Sequence, residues 1–298
     1  MSTPTRFFGG VQADYFIGAS FGFGFGNVWY VDSVNGSNSN LGNSPTSPFA
    51  TLAQAQTAAS AGDTIIVAPA SAFTLTAVLT LTKAGLSIIG LGNGTKKPTI
   101  TVNAAADGLS LEAAGILIEN FHFAAPGTDE ATAMINIAAA GCTLRKISGI
   151  GSTTSKNFVD CFTLASGADD CTFEDVKVYN SVVAVNSFLS IEAAVARFRI
   201  RKFFAFGDVA TAGIIDAATA THLDWEDVVV GVVGTTKPAA TLDSNPTGLI
   251  NRGRFAGTHA TIATDAALGN AIRLFDVLVL EETDGSKQGA QIPAVDAD

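Results

Sequence analysis

Charge is scarce in this sequence. Only 15% of the 298 residues are Asp, Glu, Lys or Arg, against 47% apolar, and mean hydropathy is +0.34. The 27 acidic residues outnumber the 17 basic ones, giving a formal net charge of -10. That balance argues against a surface that grips nucleic acid by neutralising phosphates. Long apolar runs are missing too: no stretch approaches the 18 or more residues of a membrane helix, so no membrane partner is expected. Three cysteines, Cys142, Cys161 and Cys171, are too few and too irregularly spaced for a disulfide framework. Met1 to Arg6 lacks a charged region followed by an apolar core, so synthesis in a cytoplasm is the expectation. A chain this oily needs strands buried on an inward face and outer faces buried against partners.

What is present is a repeat: apolar, any, apolar, two turn residues, apolar, any, apolar. It reads Ile116-Leu-Ile118-Glu-Asn-Phe121-His-Phe123, then Cys142-Thr-Leu144-Arg-Lys-Ile147-Ser-Gly149, then Cys171-Thr-Phe173-Glu-Asp-Val176-Lys-Val178. Further copies start at Phe198, Leu223 and Ile272, with a degraded one at Ile250 to Phe255. From Ile116 to Cys142, Cys171, Phe198 and Leu223 the steps are 26, 29, 27 and 25 residues, and the 49 to Ile272 is two coils. Period-two alternation means strands with one face in and one out. Another short strand precedes most copies, as in Leu109-Ser-Leu111 and Ile135-Asn-Ile137. Three short strands per coil of about 25 residues predict an all-β parallel solenoid, coils stacking at roughly 4.8 Å.

The two-residue corners test this register. They read Glu119-Asn120, Arg145-Lys146, Glu174-Asp175, Arg201-Lys202, Glu226-Asp227, Asn251-Arg252 and Phe275-Asp276, so the sign alternates nearly every coil. Stacked opposite charges attract where like charges would repel. The same alignment puts Cys142 beside Cys171 as buried thiols, with a disulfide as the minor alternative. It sets Asp170 against Arg197 and Arg199 against Asp224, and leaves Lys177 and Arg254 without partners. An open solenoid end needs a cap. Ser47 as N-cap and Pro48 as first helical residue predict a small helix through Ala59.

The runs Trp29-Tyr-Val-Asp-Ser-Val-Asn-Gly36 to Ser44, Ser47-Pro-Phe-Ala-Thr-Leu52 and Ala61-Gly-Asp-Thr-Ile-Ile-Val-Ala-Pro69 resemble the start of pectate-lyase-like right-handed parallel β-helix proteins. Leu86-Ser-Ile-Ile-Gly90 and Pro98-Thr-Ile100 continue the likeness, which spans residues 28 to about 280. It implies one β-helix domain over 28-280, capped at 28-63, between an arm (1-27) and a C-terminal tail (281-298). It is specific for fold and not for function, since polysaccharide lyases and hydrolases, adhesins and bacteriophage structural proteins share it.

No catalytic set stands out in the sequence. A lyase needs clustered carboxylates with a basic residue, and a hydrolase needs facing carboxylates. Asp169-Asp170 is an acidic pair outside the corners, and ion pairing accounts for it. His122, His222 and His259 fall in different coils without carboxylates at metal-ligand spacing. The loop Asp32 to Asn43 could hold calcium, but offers Asn and Ser after its one aspartate. No cofactor is expected. The 1-27 arm instead carries Phe7, Phe8, Tyr15, Phe16, Phe21, Phe23 and Phe25, with glycine alternating in Phe21-Gly-Phe-Gly-Phe-Gly26. An extended chain there puts its rings on one side, which makes it either a cover folded back over the chain's own N-terminal cap or, as expected here, a partner interface. With the resemblance, these features imply a non-enzymatic virion protein, a homotrimeric capsid decoration or cement protein bound to the major capsid protein. The alternatives are a polysaccharide lyase or hydrolase of tailspike or secreted type, and a non-catalytic glycan-binding adhesin.

Overall fold

The computed structural model describes residues 26–125, 129–152, 156–233, 237–242, 246–257, 272–283 and 286–292, with side chains 181–183 and those from 279 onward left aside. The arm residues Phe7, Phe8, Tyr15, Phe16, Phe21, Phe23 and Phe25, and also His259, lie outside the described residues.

Each coil makes three passes. Face I holds Thr64–Val67, Ser87–Gly90, Leu117–Glu119 and Thr143–Arg145, and continues to Ile272–Phe275. Beyond the two-residue corner, face II holds Ala72–Leu75, Thr99–Val102, His122–Phe123 and Ser148–Ile150, and continues through Arg254–Gly257. Three strands, Thr172–Val185, Arg199–Val209 and Leu223–Val233, run through the corner and fuse both faces into one 17-stranded sheet. Face III is a separate sheet of seven strands, from Leu79–Leu81 to Ala240–Thr241, one for each of about seven full turns. All neighbouring coils pair in parallel, so the expected right-handed parallel β-helix is the fold.

The expected register holds. Glu119 pairs with Arg145, Arg145 with Glu174, Glu174 with Arg201, Arg201 with Glu226, Glu226 with Asn251, and Asn251 with Phe275. The second corner residue is left-handed in every one of these coils, with φ between 47° and 64° from Asn120 to Asp276. A single αL residue turns the chain sharply while both flanking strands keep the same face inward. The other corner, after face III, uses Gly62, Gly85, Gly115 and Gly141 at positive φ, then Asp170, Arg197 and His222 at the same position.

The core is a column of inward side chains. Phe162, Phe173, Phe198 and Trp225 stack edge to face along it, with successive ring centroids 5.4, 5.0 and 6.2 Å apart. Gly149 interrupts the apolar column because Met134 fills its place; a Cβ there would sit 2.5 Å from Met134 Sδ. Cys142, Cys161 and Cys171 are all buried free thiols.

Both ends depart from expectation in detail. The helix is Leu52–Ala58 and its N-cap is Thr51, whose side chain accepts from Gln54 N. Ser47 and Pro48 do not start it, because Phe49 pairs as a strand residue: its N–H goes to Tyr30 O and its carbonyl accepts Asp32 N. At the far end, Ser286–Ile292 folds back antiparallel on Val277–Thr283, so residues beyond 280 cover the last strand edge.

Candidate functional site

The corner ladder is built as read, but its pairs are uneven. Glu119, with 12% of its side chain exposed, takes Arg145 Nη2 and Lys146 Nζ. Burial alone would raise its carboxyl; these cations outweigh that and hold it below the usual range. Arg201 turns to Asp224 and Glu226, and Arg252 binds Glu226 and Asp227 at 2.6 Å each. Arg145 and Arg201 therefore both point away from Glu174, leaving a notch of about 260 Å³ lined by Arg145, Lys146, Glu174, Asp175, Arg201 and Lys202. Each exposed pair is worth roughly 0–1 kcal/mol, so the ladder fixes register more than it stabilises.

The other sequence-singled charges are structural. Asp170 binds Arg197 in a two-pronged pair at 2.6 Å, as the register implied. Asp169 accepts Ala196 N at 2.7 Å. Arg199 does align with Asp224, but that carboxylate takes Arg201 instead, since both lie beside the same corner. Lys177 and Arg254 are not partnerless: Lys177 pairs with Asp175 at 3.1 Å, and Arg254 reaches Asp276 at 3.4 Å and the Asp276 carbonyl. Both partners sit in a corner, two residues back or one coil on, which a same-row comparison passes over. In the 32–43 loop the Asp32 carboxylate accepts Val34 N, Asn35 N and Asn35 Nδ2. Asn38 Oδ1 accepts Ala50 N and both donors of Thr51. The loop's side chains thus bind its own backbone, and no group of three His, Cys, Asp or Glu that could hold a metal occurs among the described residues.

Three clusters remain on the outer faces. On face II, Ile150, Tyr179 and Phe206 stack in register on successive coils and are 41%, 50% and 48% exposed. Phe204 joins them, its ring 5.5 Å from Tyr179. Phe206 lies over Gly231, where a Cβ would be 2.5 Å from its ring. Tyr179 and Phe206 stand just beyond the repeat's last apolar position, where a core search stops.

Nearer the N-terminus on the same face, His122 and Ser148 pair in register, with Nδ1 to Oγ 3.1 Å. Lys97 Nζ donates to Ser148 Oγ at 3.4 Å and to the Lys146 carbonyl. Burial, with Lys146 and Lys177 nearby, lowers the Lys97 ammonium pKa despite Asp175. Burial and Lys97 lower His122 likewise.

Face III carries an outward polar row, Ser110, Asn136, Thr163 and Ser190, flanked by carboxyls. Asp160, 6% exposed, accepts Asn186 Nδ2 at 2.9 Å and Ser187 Oγ at 2.5 Å, yet burial pushes it above its ordinary value. Burial raises Asp107 and Glu192 as well, and Asp160 and Asp107 both push Glu192 further up. The three acids come from three coils and no sequence motif links them; Asp160 aligns with Ser187, five residues before Glu192.

No protein-family model matches the chain, and no curated protein does. Among solved structures it is similar to a GH136 lacto-N-biosidase from Eubacterium ramulus, at 12% identity and TM-score 0.49, covering 85% of this chain and 60% of that one. A rhamnogalacturonan lyase matches at 11% identity and TM-score 0.42, over 88% and 89% of the two chains. A pectate lyase matches at 11% and 0.43, over 84% and 80%. Such distant likeness assigns no chemistry to this chain, and its fold rests on the strand register.

Proposed function

We propose that this protein is a non-enzymatic structural protein of a bacteriophage particle, a homotrimer that decorates the capsid. The observation that carries this reading is the apolar strip Ile150, Tyr179 and Phe206, which stays about half exposed on a rigid, register-locked face. Contiguous exposed apolar surface of this kind marks a docking face. The Phe-rich segment before residue 26 adds a second apolar element suited to another chain. Rigid coils would stand off the shell while strip and arm bury area against the shell subunit and sister copies. The test is quantitative mass spectrometry of purified particles from the source. Copy number comparable with the major shell protein supports decoration, and loss of retention on deleting residues 1–27 supports the arm. Absence from particles would sink the reading.

A second reading is favoured by one observation: three carboxyls held above their ordinary values along face III. Paired carboxyls are the groups a glycosidase uses as acid and as base or nucleophile. Release of reducing ends or unsaturated products from a polysaccharide panel, lost in Asp160→Asn and Glu192→Gln, would place the protein with such enzymes.

A further inference from the structure

We propose that Lys97, His122 and Ser148 on face II form a binding site for an oxyanion, a sulfate or phosphate either free or carried on a saccharide. This does not depend on whether the protein decorates a capsid.

The cluster gathers positive charge in an otherwise acidic chain. Lys97 crosses two coils to place its ammonium on Ser148 Oγ and the Lys146 carbonyl, both neutral oxygens. Its charged surroundings are Lys146, Lys177 and Asp175, with the His122 ring also in its field. Two of those cations already have carboxylates: Lys146 holds Glu119 and Lys177 holds Asp175, both at 3.1 Å. Lys97 has none, and it is the half-buried one, which is costly unless a negative charge arrives. Among the described residues the His122 ring's one hydrogen bond is Nδ1 with Ser148 Oγ, and Nε2 has no partner. A Lys97 ammonium N–H and an imidazolium N–H from His122, whose Nδ1–H then donates to Ser148 Oγ and frees the serine hydroxyl to donate as well, supply donors on three coils for the acceptors of a tetrahedral oxyanion.

Attack by Ser148 is a poorer account of the same groups. The neighbouring backbone N–H groups are spent in the ladder: Ser148 N on Phe121 O, Lys177 N on Ile147 O and His122 N on Pro98 O. An oxyanion hole would need such donors free. The saccharide form of the anion is favoured by position, since Lys177 aligns with Phe204, whose ring neighbours Tyr179. Rings beside a cation suit a sugar that carries an acid group.

The experiment is an NMR titration of the histidine rings in the full chain, with inorganic sulfate, inorganic phosphate and a monosulfated disaccharide as probes. Sodium chloride at equal ionic strength is the control, and a His122→Gln spectrum assigns the signal. Sulfate or phosphate should raise the His122 pKa by about one unit, as a nearby dianion does, while His222 stays put. Lys97→Met should weaken binding about tenfold or more, and Ser148→Ala by a smaller factor. An unchanged His222 signal in each variant certifies the fold. A disaccharide that binds about tenfold tighter than sulfate assigns the anion to a sugar; equal affinity assigns the free ion. No response of His122 to any probe overturns the proposal. So does a response that chloride reproduces or that persists undiminished in Lys97→Met.

Discussion

Asp63 should be the most sensitive single position at the N-terminal end. It occupies the inward place that Leu86, Ile116 and Cys142 hold in later coils, and it is 2% exposed. Its Oδ1 accepts Asn27 N at 2.6 Å, while Oδ2 accepts Trp29 Nε1 and Ser60 N at 2.8 Å each. One carboxylate thus ties the leading strand, the segment after the helix and the first coil. Hydrogen bonds to a charged group are worth about 1.5–3 kcal/mol each, and three donors would be orphaned together. Discounted for non-additivity and for water entering the space, Asp63→Ala should cost about 3–5 kcal/mol. If the domain melts as a unit, that lowers Tm by roughly 6–20 °C. Because a solenoid is nearly one-dimensional, hydrogen-exchange protection should fall first at residues 28–31 and 64–67. Burial pushes this carboxyl up, but the bonds from Ser60, Trp29 and Asn27 outweigh it, and the folded value lies below the ordinary 3.8. The unfolded chain therefore binds the proton more tightly. Asp63's contribution is complete above about pH 4 and is lost as pH falls through the lowered value. Asp63→Ala should remove that part of the acid limb in a pH series of thermal melts. A loss below about 1 kcal/mol at pH 7, with residues 28–31 still protected, would refute the reasoning.

Three further outcomes follow from the coil geometry. Lys202 sits at φ 64° in a corner, so Lys202→Gly should stabilise by up to about 1 kcal/mol in denaturant melts, and a clear loss would contradict an αL corner. Cys142, Cys161 and Cys171 are buried, and full burial pushes the Cys161 thiol well up, so alkylation at neutral pH should proceed only as the coils open. Rapid stoichiometric labelling of the native protein would oppose this. Trp225 Nε1 is buried without a hydrogen-bond partner among the described residues, so Trp225→Phe should cost about 1–2 kcal/mol, less than a hydrogen-bonded core tryptophan would.

How far the sequence reveals this molecule depends on which contacts are periodic. The corner charges are exposed, one coil apart and alternate in sign, so Glu119, Arg145 and Glu174 can be aligned by inspection. Left-handed geometry is legible at Asn120, Asp175 and Asp227, whose side chains suit αL, but not at Lys146, Lys202 or Arg252, where stacking imposes it. Sequence alone misplaces the helix start, because Ser47-Pro48 is a good local signal that the pairing of Phe49 with Tyr30 and Asp32 overrides. Lys97 was invisible for another reason. It follows the one 3₁₀ turn among the described residues, Gly94–Lys96, inside an irregular connection, and its contact with Ser148 lies 51 residues away. No repeat predicts a side chain that skips a coil.

The apolar strip and the oxyanion cluster share face II and overlap only in the coil of Ser148 and Ile150. Lys97, His122 and Ser148 sit on three successive coils, and the strip begins on Ser148's coil with Ile150 and runs on through Tyr179 to Phe206. A partner seated on the strip alone leaves the cluster open, whereas one that covers the whole face closes it. The pair Tyr179→Ser and Phe206→Ser separates these cases. Both rings are about half exposed, so the double change should cost about 2 kcal/mol or less and leave the fold intact. If the strip is a docking face distinct from the anion site, the double variant loses retention on particles yet keeps its His122 response to sulfate. Lys97→Met should do the reverse. Joint loss of both properties in either variant would mean that face II is one surface, and that the anion it binds belongs to the partner.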